Sequence, residues 1–367
     1  MTIIENAPSA APAAVQLAPA VRITNGRLPS WSPWALLAAS LAIAAAVFGV
    51  IAAGGGGFSV VGTLVVGILL YLVLIGVTST LVEGRRKATD RVVTALVSTA
   101  FGIAMIPLAS VAYTALQNGV AGLSAEFFSH SMRNVVGEGG GALHAIMGTV
   151  LITLAAAVIS IPIGLLTSIY LVEYGRGRLA RGITFLVDVM TGIPSIVAGL
   201  FIYALFALLI GPGIRIGLMG ALSLAVLMIP VVVRSSEEML RLVPNELREA
   251  SFALGVPKWL TILKVVLPTS MAGIVTGVTL SIARVIGETA PLLVTAGFTA
   301  SMNYSLTDGR MMSLPVFVYT QYMNQGIPAE AYVNRAWAAA LVLILIVMVL
   351  NLVARLVAKY FAPAKIR

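Results

Sequence analysis

The sequence predicts an all-α polytopic membrane protein of about eight transmembrane helices. Three observations predict it. Hydrophobic residues make up 59% of the chain and charged residues only 10%, whereas soluble globular domains carry about 25% charged residues. The apolar residues gather into eight runs, each close to the roughly 20 residues that cross hydrocarbon. The charges fall in the intervals between those runs and near the C-terminus, where anionic headgroups and the positive-inside rule put them. That placement turns the formal charge of +9 away from nucleic acid and toward the membrane surface.

Residues 1–30 are rich in Ala and Pro with few large apolar side chains, and are expected to form a disordered cytoplasmic tail. They lack the basic start and short apolar core of a secretory signal. The runs near 32–54 and 58–82, joined by the tight turn Gly54–Gly57, make 31–91 a pair of N-terminal transmembrane helices. The run near 92–116 and an outer loop occupy 92–141; Gly137, Gly139, Gly140 and Gly141 make that loop flexible. The run 142–172 exceeds one bilayer thickness, so it tilts or extends into water, and Pro162 is a candidate kink. Further runs near 182–210, 216–233, 269–297 and 335–357 complete one transmembrane domain over 142–358, interrupted by a polar interval at 234–268. A second outer loop, 298–334, carries Tyr304, Phe317, Tyr319 and Tyr322, which suit an interfacial belt or a docking surface for an extracytoplasmic protein. Residues 359–367 form a basic cytoplasmic tail.

Lys and Arg decide the orientation. With the N-terminus inside, 18 of them lie on the inner side and four, Arg133, Arg215, Arg310 and Arg335, on the outer side. Both termini are then cytoplasmic. Cysteine is absent, which excludes disulfides, thiolate catalysis and Cys-ligated metals. His130 and His144 lie near one outer loop without a carboxylate cluster and read as interfacial rather than metal ligands. No phosphate-binding Gly-x-x-x-x-Gly-Lys-Ser/Thr motif occurs, and the spans hold no paired catalytic aspartates or zinc motif. Neither a catalytic residue nor a cofactor is therefore assigned to this chain.

The polar interval must leave the membrane, fold in water and return. Pro244 and Asn245 open a helix with Asn245 as its N-cap, and Glu246 and Glu249 complement its dipole. Gly255 suits the C′ position that closes it. Pro257 suits the first turn of a second helix, whose Leu260, Ile262, Leu263, Val265 and Val266 lie against the membrane side, and Pro268 marks a break before the next span. An amphipathic loop helix in the headgroup region is the plainer reading. The pattern Glu249-Ala250-Ser251, Gly255, Val265 and Leu267-Pro268 resembles the EAA loop of ABC importer permeases, whose short helix sits in a groove of the cytoplasmic ATPase. Glu249, Ala250, Gly255, Leu267 and Pro268 are the coupling residues this implies. The resemblance to a type I permease core extends over the last five or six spans.

Arg284 and Glu288 fall inside the 269–297 run, four residues apart and hence on one helix face. An ionisable group at a helix centre costs about 2.5–3.5 kcal/mol on insertion scales. Either the two form a structural ion pair between helices, or they face an aqueous path where the arginine fork fits a tetrahedral oxyanion and Glu288 holds it in place. Arg234, at the inner end of 216–233, is a snorkelling anchor or a last cationic station. Asp188 precedes Gly192-Ile193-Pro194, where a weakened helix lines a path or packs closely as a gate.

The strings Ile169–Tyr174, Gly192–Phe201 and Ala283–Leu293 together resemble the family of phosphate ABC importer permease subunits of the PstA type. The resemblance implies that Arg234, Arg284 and Glu288 take part in moving phosphate. It implies a second permease subunit, PstC, two copies of the ATPase PstB with ATP and Mg, and the phosphate-binding protein PstS, all at a bacterial inner membrane. The pair of helices over 31–91 is an addition to that pattern. An ABC permease for sulfate or molybdate is the nearest alternative. An ion-coupled secondary transporter would show inverted repeats, and none is visible.

Overall fold

The computed structural model describes residues 26–361. The tail expected over 1–30 lies outside the described residues up to 25, and the one over 359–367 lies outside them from 362. In chain order the helices are α1 (Ser32–Ala53), α2 (Val60–Glu83), α3 (Arg85–Ala121), α4 (Ala125–Ser129), α5 (Leu143–Ile169), α6 (Gly177–Thr191), α7 (Ser195–Leu209), α8 (Gly217–Arg241), α9 (Asn245–Ala253), α10 (Lys258–Thr261), α11 (Leu267–Val285), α12 (Ala290–Thr295), α13 (Leu314–Met323) and α14 (Ala329–Phe361). π-helical turns at Tyr170–Tyr174 and Ile262–Val266 extend α5 and join α10 to α11. Among the described residues seven helices are long and apolar enough to cross a membrane. The pair α6 and α7, bent by 109°, makes an eighth if it is one broken span.

The chain forms two compact units that divide at Ser110 and Val111, inside α3. In the first unit α1 and α2 form a hairpin packed so closely that a Cβ on Gly67 would lie 2.6 Å from the Leu41 side chain. The C-terminal end of α2 is pinned to α3: the buried Glu83 carboxylate accepts hydrogen bonds from Arg91 Nε at 2.6 Å and Nη2 at 2.9 Å, with Ser79 and the Leu28 amide adding two more. Many Val, Leu and Ile side chains of these helices, Val61, Leu69, Leu81 and Ile106 among them, are exposed, the surface a bilayer covers.

In the second unit α5 and α8 form the centre. The buried face of α5 carries Gly148, Thr149, Thr153, Ala156, Ser160 and Gly164. Small residues at this spacing let two backbones approach, and a Cβ on Gly164 would lie 2.6 Å from Val232. Ile152, Leu224, Met228 and Val232 fill the seam. Neither Pro162 nor Pro230 breaks its helix.

Several expectations need correction. The interval 298–334 is not simply an outer loop. Met311, Met312, Leu314 and Phe317 are buried, and the Leu314 amide donates to Thr149 Oγ1 at 2.7 Å. Phe317 belongs to the core rather than to a belt. His144 is buried against it, ring centroids 5.5 Å apart, and is not interfacial. The glycines of 137–141 are tied down: Gly137 and Gly139 carbonyls accept from buried Arg335, and the Gly140 amide donates to Glu126. The run 269–297 is two helices, because α11 stops at Val285 and α12 begins at Ala290. Pro291, near the start of α12, cannot supply the amide that a continuous helix needs.

Candidate functional site

The break in 269–297 and the break between α6 and α7 meet. Gly192 ends α6, and Pro194 stands at the N-cap of α7 with φ −57° and ψ 137°. Proline lacks the amide donor and disfavours helix in the residue before it, so Gly192 and Pro194 turn the chain. Beside this turn a cavity of about 240 Å³ is lined by Thr191 and Ser195 from the break, Pro230 from the middle of α8, and Arg284 and Glu288.

The geometry revises how Arg284 and Glu288 relate. Arg284 lies in the last turn of α11, where a cation complements the helix dipole. Glu288 lies in the following turn, its amide bonded to the Val285 carbonyl at 3.1 Å. The four-residue helical spacing therefore does not operate. Among the described residues no ion pair joins them, and neither side chain makes a hydrogen bond. Glu288 does not hold Arg284 in place; both present free charges to one cavity. The N-terminus of α7 opens on the same cavity at Ser195, and helix N-termini favour anions.

Arg234 is not among the cavity's lining residues. It sits one turn further along α8, where it donates to Asp188 on α6 and to Glu237 at 2.8 Å; Glu237 also accepts from Arg241 at 2.6 Å. Asp188 is thus the partner of Arg234, a pairing that sequence spacing does not reveal because the residues stand on different helices.

The polar interval folds into α9, a tight turn and α10. Asn245 is the first residue of α9 rather than its cap: Pro244 holds the N-cap position, and Asn245 Oδ1 accepts from Arg248 at 3.3 Å. Gly255 has φ +75°, and the Val256 and Gly255 amides donate to Ser251 and Phe252 carbonyls at 3.2 and 2.9 Å. These are the two bonds of a Schellman closure. Ser251 Oγ lies 2.8 Å from Thr261 Oγ1, a buried hydroxyl pair between α9 and α10. No break occurs at Pro268. The π-helical turn Ile262–Val266 carries α10 into α11 and absorbs the proline at the helix start.

The outward surface of this loop carries large apolar side chains. Leu247, Phe252, Leu254 and Trp259 are exposed, Leu254 at 83%, beside exposed Glu249 and Ala250. Leu267 and Pro268 stand apart from that surface, at the start of α11. Sequence reasoning missed the largely buried pair Arg248 and Glu173, 2.9 Å apart. Their only signal was an arginine beside Glu249 and a glutamate within the string 169–174.

A family model described as the binding-protein-dependent transport system inner membrane component matches residues 160–367. The chain is 48% identical over 276 residues to the phosphate transport system permease protein PstA 1 of Mycobacterium tuberculosis, covering 74% of this chain and 90% of that one. It is 46% identical over 271 residues to the phosphate transport system permease protein PstA of Mycobacterium leprae, covering 73% and 88%. To the PstA of Pasteurella multocida it is 40% identical over 281 residues, covering 76% and 96%. With its apolar helices, this makes the chain a multi-pass inner-membrane transport component. The chain belongs to the binding-protein-dependent transport system inner membrane component family, in the group of the PstA permease proteins.

Proposed function

We propose that the chain is the transmembrane permease subunit of an ATP-driven inorganic phosphate importer. It forms half of the translocation path and couples to a cytoplasmic ATPase. The observation that carries this reading is Arg284. Among the described residues it is unpaired, and it lines a cavity at the middle of α8 together with Glu288 and the start of α7. A guanidinium fork matches two oxygens of a tetrahedral anion. Glu288 on the same wall weakens the hold on an anion, so that it binds and leaves.

In this reading both termini are cytoplasmic and α9 faces the cytoplasm. Its exposed Leu247, Phe252 and Leu254 seat in a groove of the ATPase PstB, present in two copies. A second permease subunit, PstC, completes the path, and PstS delivers phosphate from outside. ATP and Mg are held by PstB; this chain is a non-catalytic subunit with no cofactor of its own. Closure of the ATPase dimer displaces α9, and the breaks at Gly192–Pro194 and 286–289 change access to the cavity. Asp188, through Arg234, holds the inner arm of the broken helix as a gate.

Labelled-phosphate uptake by the assembled transporter, challenged with excess sulfate or molybdate, tests the substrate. Uptake resistant to both is expected; displacement by either points to the alternative oxyanion. Transport without an ATPase subunit would point to an ion-coupled carrier, a reading in which the exposed face of α9 has no role.

A further inference from the structure

Both arms of the loop between α8 and α11 grip one turn of α5. Arg248 on α9 donates from Nε to Glu173 Oε1 at 3.0 Å, with Nη2 2.9 Å from the same oxygen. The same guanidinium donates to the Leu240 carbonyl at 3.0 Å and the Val243 carbonyl at 2.6 Å, at the C-terminal end of α8. The Leu240 carbonyl, in the last turn of α8, otherwise meets the Val243 amide at 3.4 Å, and Val243 itself follows the helix end, where carbonyls lack the regular helical partner. Lys258 on α10 donates to the Glu173 carbonyl oxygen and lies 4.7 Å from the centre of the Tyr174 ring. Glu173 belongs to the π-helical turn that ends α5. Beneath it Leu240, Val243, Val266 and Ile274 form an apolar cluster with Ile169 and Val172, so α5, α8 and α11 end on one packed seat.

We propose that Glu173 and Arg248 are positioning residues that pass movement of α9 to α5. This rests on the reading of α9 as the seat of the ATPase. The physical case is the contrast between the two faces of α9. Its outer face exposes Leu247 and Phe252 beside Glu246 and Glu249. Its inner face is held by a largely buried charge-assisted fork whose side chains are 13% and 6% exposed. A largely buried fork satisfied on four acceptors, Glu173, Leu240, Val243 and Asn245, resists sliding, because any shift leaves a charge with fewer partners. Displacement of α9 is therefore delivered to the end of α5, and α5 carries it along the small-residue seam with α8 to the level of Pro230 and the cavity. Lys258 delivers the movement of α10 to the same turn. The fork also caps α8, so a purely local stabilising role must be separated from transmission.

The test is made on the complete transporter in proteoliposomes, with two readouts: ATPase subunit retained, and phosphate moved per ATP hydrolysed. Glu173→Gln keeps an acceptor and removes the charge; Arg248→Lys keeps the charge and removes the fork. Both variants are expected to retain the ATPase within twofold and to lose at least tenfold in phosphate per ATP. A ratio within twofold of the unaltered transporter in both variants overturns the proposal. Loss of ATPase retention in both also overturns it, since the fork then builds the docking loop rather than transmitting through it. If one variant fails to assemble, the other decides. Leu254→Asp serves as the control for the underlying reading. It is expected to lose the ATPase, and if it retains the ATPase with normal uptake, the seat on α9 is refuted whatever the fork does.

Discussion

The Asp188 carboxylate accepts a hydrogen bond from the Arg234 guanidinium, and the same guanidinium reaches Glu237 at 2.8 Å. Arg234 is thereby held by two carboxylates on α6 and α8, one turn from the cavity that contains Arg284. An arginine already occupied by carboxylates releases them only to a competing anion. The pair ties α6 to α8, so exchange of partners at Arg234 is coupled to movement of α6.

Asp188→Asn removes the competitor while keeping the shape. The two side chains are 58% and 33% exposed, and an exposed pair is worth about 0–1 kcal/mol, so assembly is expected to survive. A passing anion is then held longer at Arg234. Apparent KM for phosphate and maximal uptake rate are both expected to fall, by roughly fivefold for about 1 kcal/mol. Initial rates across phosphate concentrations read this directly, and a raised KM would contradict it.

Gly255 closes α9 at φ +75°, a conformation that costs a residue with a Cβ about 1–2 kcal/mol. Proline cannot adopt it at all. Gly255→Pro is expected to abolish uptake by misdirecting α9, while Gly255→Ala, facing open space, is expected to retain part of it. Unchanged ATPase capture and unchanged uptake in Gly255→Pro would refute the coupling role.

Gly148 tests the packing of the folded-back segment. A Cβ there would lie 1.9 Å from the Met312 carbonyl oxygen. Gly148→Ala is expected to cost about 1–3 kcal/mol, as overpacking does, and to lower the thermal midpoint of the purified chain. Gly182→Ala meets nothing within 4 Å and is expected to leave the midpoint unchanged or slightly raised. Equal midpoints for the two variants would contradict the close approach of Met312 to α5.

Sequence carries these features unevenly. The spans are legible because hydrocarbon demands long apolar runs, and Gly255 is legible because a helix end with positive φ favours glycine. The burial of Phe317, Met311 and Arg335 is not legible. A polar interval flanked by spans reads as a loop whether or not it folds back, and Arg335 Nη1 donates to distant carbonyls of Gly137 and Gly139. The end of α11 had a signal in Gly287 and Pro291, outweighed by the continuous apolar run around them. The pairs Asp188–Arg234 and Glu173–Arg248 join residues 46 and 75 positions apart, a separation at which periodicity says nothing. The π-helical turns shift the register by one residue and leave no periodic trace.

Arg284 tests the central claim most directly. Its side chain has no hydrogen-bond or ion-pair partner among the described residues, so Arg284→Gln breaks no such bond in the fold. A hydrogen bond to a charged group is worth about 1.5–3 kcal/mol, or roughly 10- to 100-fold in rate. The measurement is phosphate uptake by the assembled Arg284→Gln transporter, with subunit content quantified in the same vesicles. Assembly at the normal level with uptake reduced by that factor is the predicted result. Normal uptake by the fully assembled variant would contradict the role of this cavity as the path.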